Sequence, residues 1–296
     1  MSAYLLQQLL NGLMLGSLYA LVAIGFSLIY SILRLINFAH GDLLMVGAFA
    51  ALAAAALGGP WWAVVAIVVA SGALAGIAVE RVAIRPLRGM PQVTGFIATL
   101  AVSVAIENLA LILFTGQPRT FPVPELLRGQ LELGPVRATR VDLVIILSTW
   151  LLLLVLLVVV RWSRFGRAMR ALADNLLAAR LVGVDVDRTI LFAFALGSAF
   201  AAYAGLLWGA RFGQVDPLMG FAPGLKAFVA CVLGGVGSLA GAVLGGYLLG
   251  LAEVLFVGLL PPAYSGLRDA FVFAALILLL LFLPNGLLGR PEEERA

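Results

Sequence analysis

Charge is what this chain of 296 residues has least of: Asp, Glu, Lys and Arg together supply 11% of it. A soluble domain carries about a quarter of its residues as charges to cover its surface, so composition excludes a water-exposed fold. Cysteine occurs once, as Cys231 in an apolar run, which excludes a disulfide framework and a thiolate cluster and leaves a small buried hydrophobe. Lysine also occurs once, as Lys226, and no G-x-x-x-x-G-K-[ST] surrounds it, so the chain has no phosphate-cradling loop of its own. H-E-x-x-H, G-x-S-x-G and Cys/His clusters are missing as well, and with them the residue sets of common hydrolases and metal enzymes. The chain reads as a non-enzyme that binds no cofactor.

What fills the sequence is apolar: hydrophobic residues make up 63%, and the mean hydropathy is +1.10. A helix crossing a bilayer needs roughly 20 mostly apolar residues. Eight runs qualify, at 5–30, 38–57, 61–83, 93–114, 141–160, 189–210, 239–260 and 267–283. A ninth piece, 221–234, falls short of a full crossing and reads as a tilted half-helix or a re-entrant segment. The expected fold is therefore an all-α integral membrane protein, one domain over 1–296, forming a polytopic helix bundle of eight to nine spans. The opening stretch MSAYLLQQLLNGLMLGS has no basic region before its apolar run, so it reads as a first span and not a cleaved signal.

The basic residues are arginines apart from Lys226, and they sit in short links between apolar runs, with no basic stripe interleaved with aromatics to suggest nucleic acid. The link 84–92 holds Arg85 and Arg88; the link 161–188 holds Arg161, Arg164, Arg167, Arg170, Arg180 and Arg188. Two spans separate these links, so they share a face, which the positive-inside rule makes cytoplasmic. The N-terminus is then outside, the tail RPEEERA inside, and the proline-rich stretch 115–140 a periplasmic loop. Glycines four apart, such as Gly12/Gly16 and Gly246/Gly250, allow helix backbones to approach closely in lipid. A short echo between 15–20 and 196–201, on spans of opposite direction, suits an inverted repeat.

The link 161–188 is too patterned for a plain turn. Asp174-Asn175 caps a short helix on this reading, Gly183 ends it in the left-handed conformation, and Asp187 caps the next span. Such a helix either lies on anionic lipid as an amphipathic surface element or docks into a groove on a cytosolic motor.

The run Ala178-Ala179-Arg180-Leu181-Val182-Gly183 resembles the AA-xxx-G core of the EAA loop in permeases of ABC importers. Leu177 stands where that family often has Glu, and the downstream I-x-L-P element is missing. Over nearly its whole length the chain resembles the branched-chain amino-acid ABC transporter permeases of the LivH type. Asn37-Phe38-Ala39-His40-Gly41-Asp42, Glu80-Arg81-Val82-Ala83 with Arg85-Pro86-Leu87-Arg88, Leu233-Gly234-Gly235-Val236-Gly237-Ser238 and Leu283-Pro284-Asn285-Gly286 through Arg290-Pro291 carry the likeness. The resemblance implies a fold similar to type II importers, in the bacterial inner membrane. It also implies a second homologous permease subunit, two cytosolic ATP-binding subunits that use ATP and Mg, and a periplasmic substrate-binding protein. Ala171, Asp174, Asn175, Ala178, Ala179, Arg180 and Gly183 become the expected ATPase-coupling residues.

Polar residues within the spans are the candidates for a translocation path, because ionisable groups in a bilayer are costly and tend to face a bundle interior or wet cavity. They are Asn37, His40, Asp42, Glu107, Asn108, Lys226 and Glu253. Each has a plainer reading: Asn37 and Asp42 as a helix-entry turn, His40 as a structural histidine, Glu107 and Glu253 as buried structural acids. Glu80-Arg81 reads as a snorkelling ion pair at an interface. Arg211, Asp216 and Lys226 flank the outer end of the broken helix. Two other functions remain open on sequence: a permease for urea or short amides, and a stand-alone secondary transporter that uses Glu107 and Glu253 as a relay.

Overall fold

A computed structural model describes residues 2–261 and 266–289; the expected motif end Arg290-Pro291 and the charged tail lie outside the described residues. The first helices are α1 (Ser2–Leu33), α2 (His40–Ala56), α3 (Trp61–Val79), α4 (Gln92–Phe114) and α5 (Arg140–Trp162). They are followed by α6 (Arg164–Asp174), α7 (Leu176–Leu181), α8 (Val186–Phe212), α9 (Phe221–Gly234), α10 (Leu239–Leu259) and α11 (Arg268–Phe282). Helix dominates because hydrocarbon offers backbone groups no partner outside their own segment.

Among the described residues six helices are long and apolar enough to cross a membrane: α1, α3 with its continuation to Leu87, α4, α5, α8 and α10. This corrects the expected eight to nine full spans. The run 38–57 yields only the 17-residue α2, the run 267–283 the 15-residue α11, and 221–234 the 14-residue α9. Hydropathy counts side chains and is blind to the backbone. Residues 34–37 are non-helical and lead into a turn at Phe38-Ala39; at the other run, Pro284 restricts Leu283 and stops the helix.

α1 is the hub, packed against α10, α8, α9 and α5, with its second half almost wholly buried. It meets α10 backbone to backbone: a Cβ added to Gly250 would land on Gly16, and one on Gly246 on Ala20. The glycine pairs four apart therefore mesh across one crossing, as close helix approach in lipid requires. α4 and α5 turn large apolar side chains outward, among them Ile97, Val104, Leu147 and Leu151. A soluble protein would not tolerate that patch; a hydrocarbon surround makes it ordinary.

The helix bundle has two distinct ends. At one, both arginine-rich links come together, with Arg85 Nη2 2.9 Å from Asp187 Oδ2 and Gln92 Nε2 donating to Arg34 O at 2.7 Å. Residues 285–289 fold back there, Leu288 N donating to Gly234 O at 2.8 Å. At the other end the stretch 115–140 is folded and not loose. Strand β1 (Arg119–Thr120) pairs antiparallel with β4 (Gln214–Val215), and β2 (Gln130–Leu133) with β3 (Val136–Thr139). Gln7 of α1 pins this hairpin by two 2.9 Å bonds to the Arg137 backbone, and Thr139 with Asp142 closes a capping box on α5.

Candidate functional site

After α1 the chain reverses at Arg34, whose φ is +53°, and residues 35–39 run back into the bundle without helical structure. Non-helical backbone at membrane depth survives only where protein covers it. Here Asn37, Ala39 and His40 are fully buried, and Phe38 N donates to Thr99 Oγ1 at 3.3 Å. α2 consequently starts beside Gly25, roughly two turns before α1 ends. α9 starts at the same place. A Cβ on Gly41 would sit 2.8 Å from Gly220 O and 2.9 Å from Gly224 Cα, so only glycine allows these first turns to touch.

A long helix, a break and a short helix thus occur twice, as α1–α2 and α8–α9. The two long helices are antiparallel, Tyr19 facing Trp208 and Gly25 facing Gly197. This arrangement agrees with the inverted repeat suggested by the echo between 15–20 and 196–201. Helix N-termini carry partial positive charge, and Asp42 lies in the first turn of α2. Neither amide atom of Asn37 has a hydrogen-bond partner among the described residues. His40 packs edge-on against Phe26, ring centroids 4.6 Å apart. Asp42 and Ser103 face a cleft of only about 20 Å³ among Phe26, Phe38, Phe221 and Phe228. That is room for a water and no more.

A larger cleft, about 510 Å³, opens toward the end that holds the 115–140 fold. Its floor is charged. Lys226 Nζ of α9 lies 2.8 Å from Glu253 Oε1 of α10 and 2.7 Å from Asp269 Oδ1 of α11. Arg268 Nε lies 3.0 Å from the same Glu253 oxygen, and Tyr19 donates its hydroxyl to Glu253 Oε2 at 2.8 Å. Lys226 and Glu253 are 6% and 2% exposed; Arg268 and Asp269 are about half exposed. The tie between Lys226 and Glu253 was not evident in the sequence, since they belong to different helices. Arg268 and Asp269 were missed, being read as the edge of a span.

The remaining path candidates, Glu107 and Asn108, line neither cleft. Glu107 is half-buried on α4, and Asn108 is exposed and donates to Val104 O of its own helix at 2.8 Å. Arg211 also lines the larger cleft, where it pairs with Asp142, whereas Asp216 accepts from Leu218 N at 3.0 Å within its own turn. Among the described residues no three His, Cys, Asp or Glu side chains gather as metal ligands would.

The link 161–188 holds two helices where one was expected. Ser163 caps α6, and the helix buries Gly166, Met169 and Leu172 while turning Arg164, Arg167 and Arg170 outward. That period of three was readable and went unused. Asn175 caps α7 through Ala178 N at 3.0 Å, while Asp174 is the last residue of α6. Gly183 has φ +84°, the left-handed conformation expected of it. The cap of α8 is Asp185 and not Asp187. Asp187 instead bridges Arg85 and Arg88, and Arg88 continues to the buried Glu80. Glu80 therefore pairs with Arg88 and not with its neighbour Arg81, since adjacent residues on a helix do not face each other. On α7 the structure divides the expected coupling residues. Ala179 faces inward at 3% exposure, Ala171 is half-buried, and Ala178, Arg180 and Gly183 face out. Leu177, Leu181 and Val182 stand beside them, Leu181 at 88% exposure.

Residues 8–281 match the family described as branched-chain amino acid transport system / permease component. The chain is 41% identical over 308 residues to the high-affinity branched-chain amino acid transport system permease protein LivH of Escherichia coli K12, covering 99% of this chain and 98% of that one. It is equally similar to LivH of Salmonella typhimurium, and 39% identical over 305 residues to BraD of Pseudomonas aeruginosa, covering 98% and 97%. No solved structure matches.

Proposed function

The chain belongs to the branched-chain amino acid transport permease family, and from that premise we propose that it is one membrane-spanning half of an ATP-driven importer of branched-chain amino acids. The observation that carries the reading is identity of about two residues in five to named permeases of such systems, over 98–99% of the chain. The chain is a multi-pass inner-membrane protein and a non-catalytic subunit. A second homologous permease completes the path, in a fold similar to type II importers, two cytosolic ATP-binding subunits hydrolyse Mg-bound ATP, and a periplasmic protein delivers substrate.

The end that gathers both arginine-rich links is the cytosolic one, in line with the positive-inside rule. There α7 presents Leu177, Leu181 and Val182 to solvent, apolar side chains that water disfavours and that a groove on the ATP-binding subunit covers. Asp174, Asn175, Ala178, Arg180 and Gly183 shape that contact, and Ala179 and Ala171 seat the helix on the bundle. The folded stretch 115–140 is periplasmic. Asn37, His40, Asp42, Lys226 and Glu253 belong to the transport path, and Glu107 and Asn108 lie beside it on α4.

Reconstitution decides between this reading and its rivals. Proteoliposomes holding the two permeases and the ATP-binding subunits take up leucine only with ATP and the binding protein. Preference for urea or acetamide over leucine would redirect the substrate assignment. Uphill transport by this chain alone on an ion gradient would overturn the importer reading.

A further inference from the structure

The larger cleft sets open space beside a cluster of fixed charges. Lys226, Glu253, Arg268 and Asp269 balance to no net charge, two cations against two anions, and Arg211, which also lines the cleft, is matched by Asp142. A quartet that only clamps helices together has no need of open space beside it. This one floors a cleft of about 510 Å³, within the range of small-ligand sites. We propose that this cleft binds a free α-amino acid as a zwitterion, so that the permease itself holds substrate on the path; the proposal rests on the importer reading and adds the site.

The geometry gives each ligand charge a partner. Lys226 commits two of its three N–H groups, to Glu253 and Asp269, and Arg268 makes its recorded pairs through Nε. Both line the cleft, and Arg268 is half exposed to it, so its guanidinium fork is placed to meet a carboxylate in bidentate fashion. Asp269 pairs through Oδ1, and its carboxylate is half exposed on the same floor as Glu253, where an ammonium group would sit. Met14, Leu15, Phe212, Val254 and Val257 supply an apolar wall for the side chain.

The balance of the quartet sets selectivity. A zwitterion leaves the floor neutral. A ligand with one net charge leaves that charge uncompensated beside the buried Lys226 and Glu253, where it is expensive. The cleft therefore discriminates for both ends of the amino acid at once.

The experiment uses the full chain in lipid nanodiscs with radiolabelled L-leucine. Unlabelled leucine displaces the label. Leucinamide, which lacks the carboxylate, and 4-methylpentanoate, which lacks the ammonium, compete at least about tenfold more weakly, equivalent to ~1.4 kcal/mol. Asp269→Asn and Arg268→Gln, at half-exposed positions that leave the fold intact by gel filtration, weaken leucine binding by about tenfold or more. No binding up to about 10 mM, equal competition by leucinamide, or unchanged binding in both variants would each overturn the site and leave a structural clamp. Normal ATP-driven leucine uptake alongside any of those results refutes the site while the importer reading stands. Leucine binding that needs both charges, in a chain that supports no ATP-driven uptake, keeps the site and refutes the importer.

Discussion

Replacing Lys226 with Met removes the ammonium that lies 2.8 Å from Glu253 and 2.7 Å from Asp269, while keeping an unbranched stem of similar length. Breaking a buried ion pair by losing one partner costs about 3–5 kcal/mol in soluble proteins. Two features bring the figure down here. Glu253 keeps Arg268 at 3.0 Å and the Tyr19 hydroxyl at 2.8 Å. Unfolded helices in a membrane also find other polar partners, which holds interhelical polar contacts below about 2 kcal/mol. Lys226→Met is therefore expected to cost ~2 kcal/mol, and Glu253→Gln, which retains an acceptor for Tyr19, a similar ~2 kcal/mol. The double variant should cost less than the sum, with a coupling of about 1 kcal/mol. Titration with SDS in mixed micelles, followed by far-UV circular dichroism, measures all four corners of the cycle. Additivity within about 0.3 kcal/mol would mean the two side chains do not meet.

Leu181→Asp is expected to abolish co-purification of the ATP-binding subunit without changing the SDS midpoint, because the side chain is 88% exposed. Ala179→Asp should lower that midpoint, because its site is 3% exposed; retained association of the Leu181 variant would place docking elsewhere. Asn175→Cys should react with a membrane-impermeant maleimide only from the cytosolic side and Glu132→Cys only from the periplasm. Native Cys231, fully buried, stays silent, and labelling of both variants from one side would refute the orientation. Gly224→Val should cost about 1–3 kcal/mol, since its Cβ would meet Gly41 Cα at 2.5 Å. Gly59→Val, where a Cβ meets nothing within 4 Å, should stay within about 0.5 kcal/mol on the same titration.

Much of the bundle was legible because lipid imposes a length rule on apolar runs. The bounds of α3, α4, α5, α8 and α10 fall within about a turn of their sequence runs. The rule fails where the chain covers depth without helix. Asn37-Phe38 looks like an interfacial turn, and only the touching of Gly41, Gly220 and Gly224 reveals that it lies inside. Local signals in the link 161–188 are legible at Asn175, which caps α7, and at Gly183, which is left-handed. The cap at Asp187 was misplaced because Asp185 competes for the same role two residues earlier, and Asp187 is held by arginines about a hundred residues distant in the chain. The charged quartet was half legible: Lys226 and Glu253 stood out as ions in apolar runs, but nothing local to either announces the other, nor Arg268 and Asp269.

The inward-dipping segment 35–39 has a consequence for biosynthesis. Its backbone amides are sheltered by α4 at Thr99, and α2 behind it rests on Ala202 and Gly205 of α8 and on the first turn of α9. When the ribosome has made α2, none of those shelters exists. Bare peptide groups in hydrocarbon cost several kcal/mol each, so this hairpin has to wait at the translocon or the lipid headgroups until the second half of the chain emerges. Final entry of α2 is then a late step that locks the two halves together, and a polypeptide released before α9 leaves Asn37 and His40 without the cover of the second half.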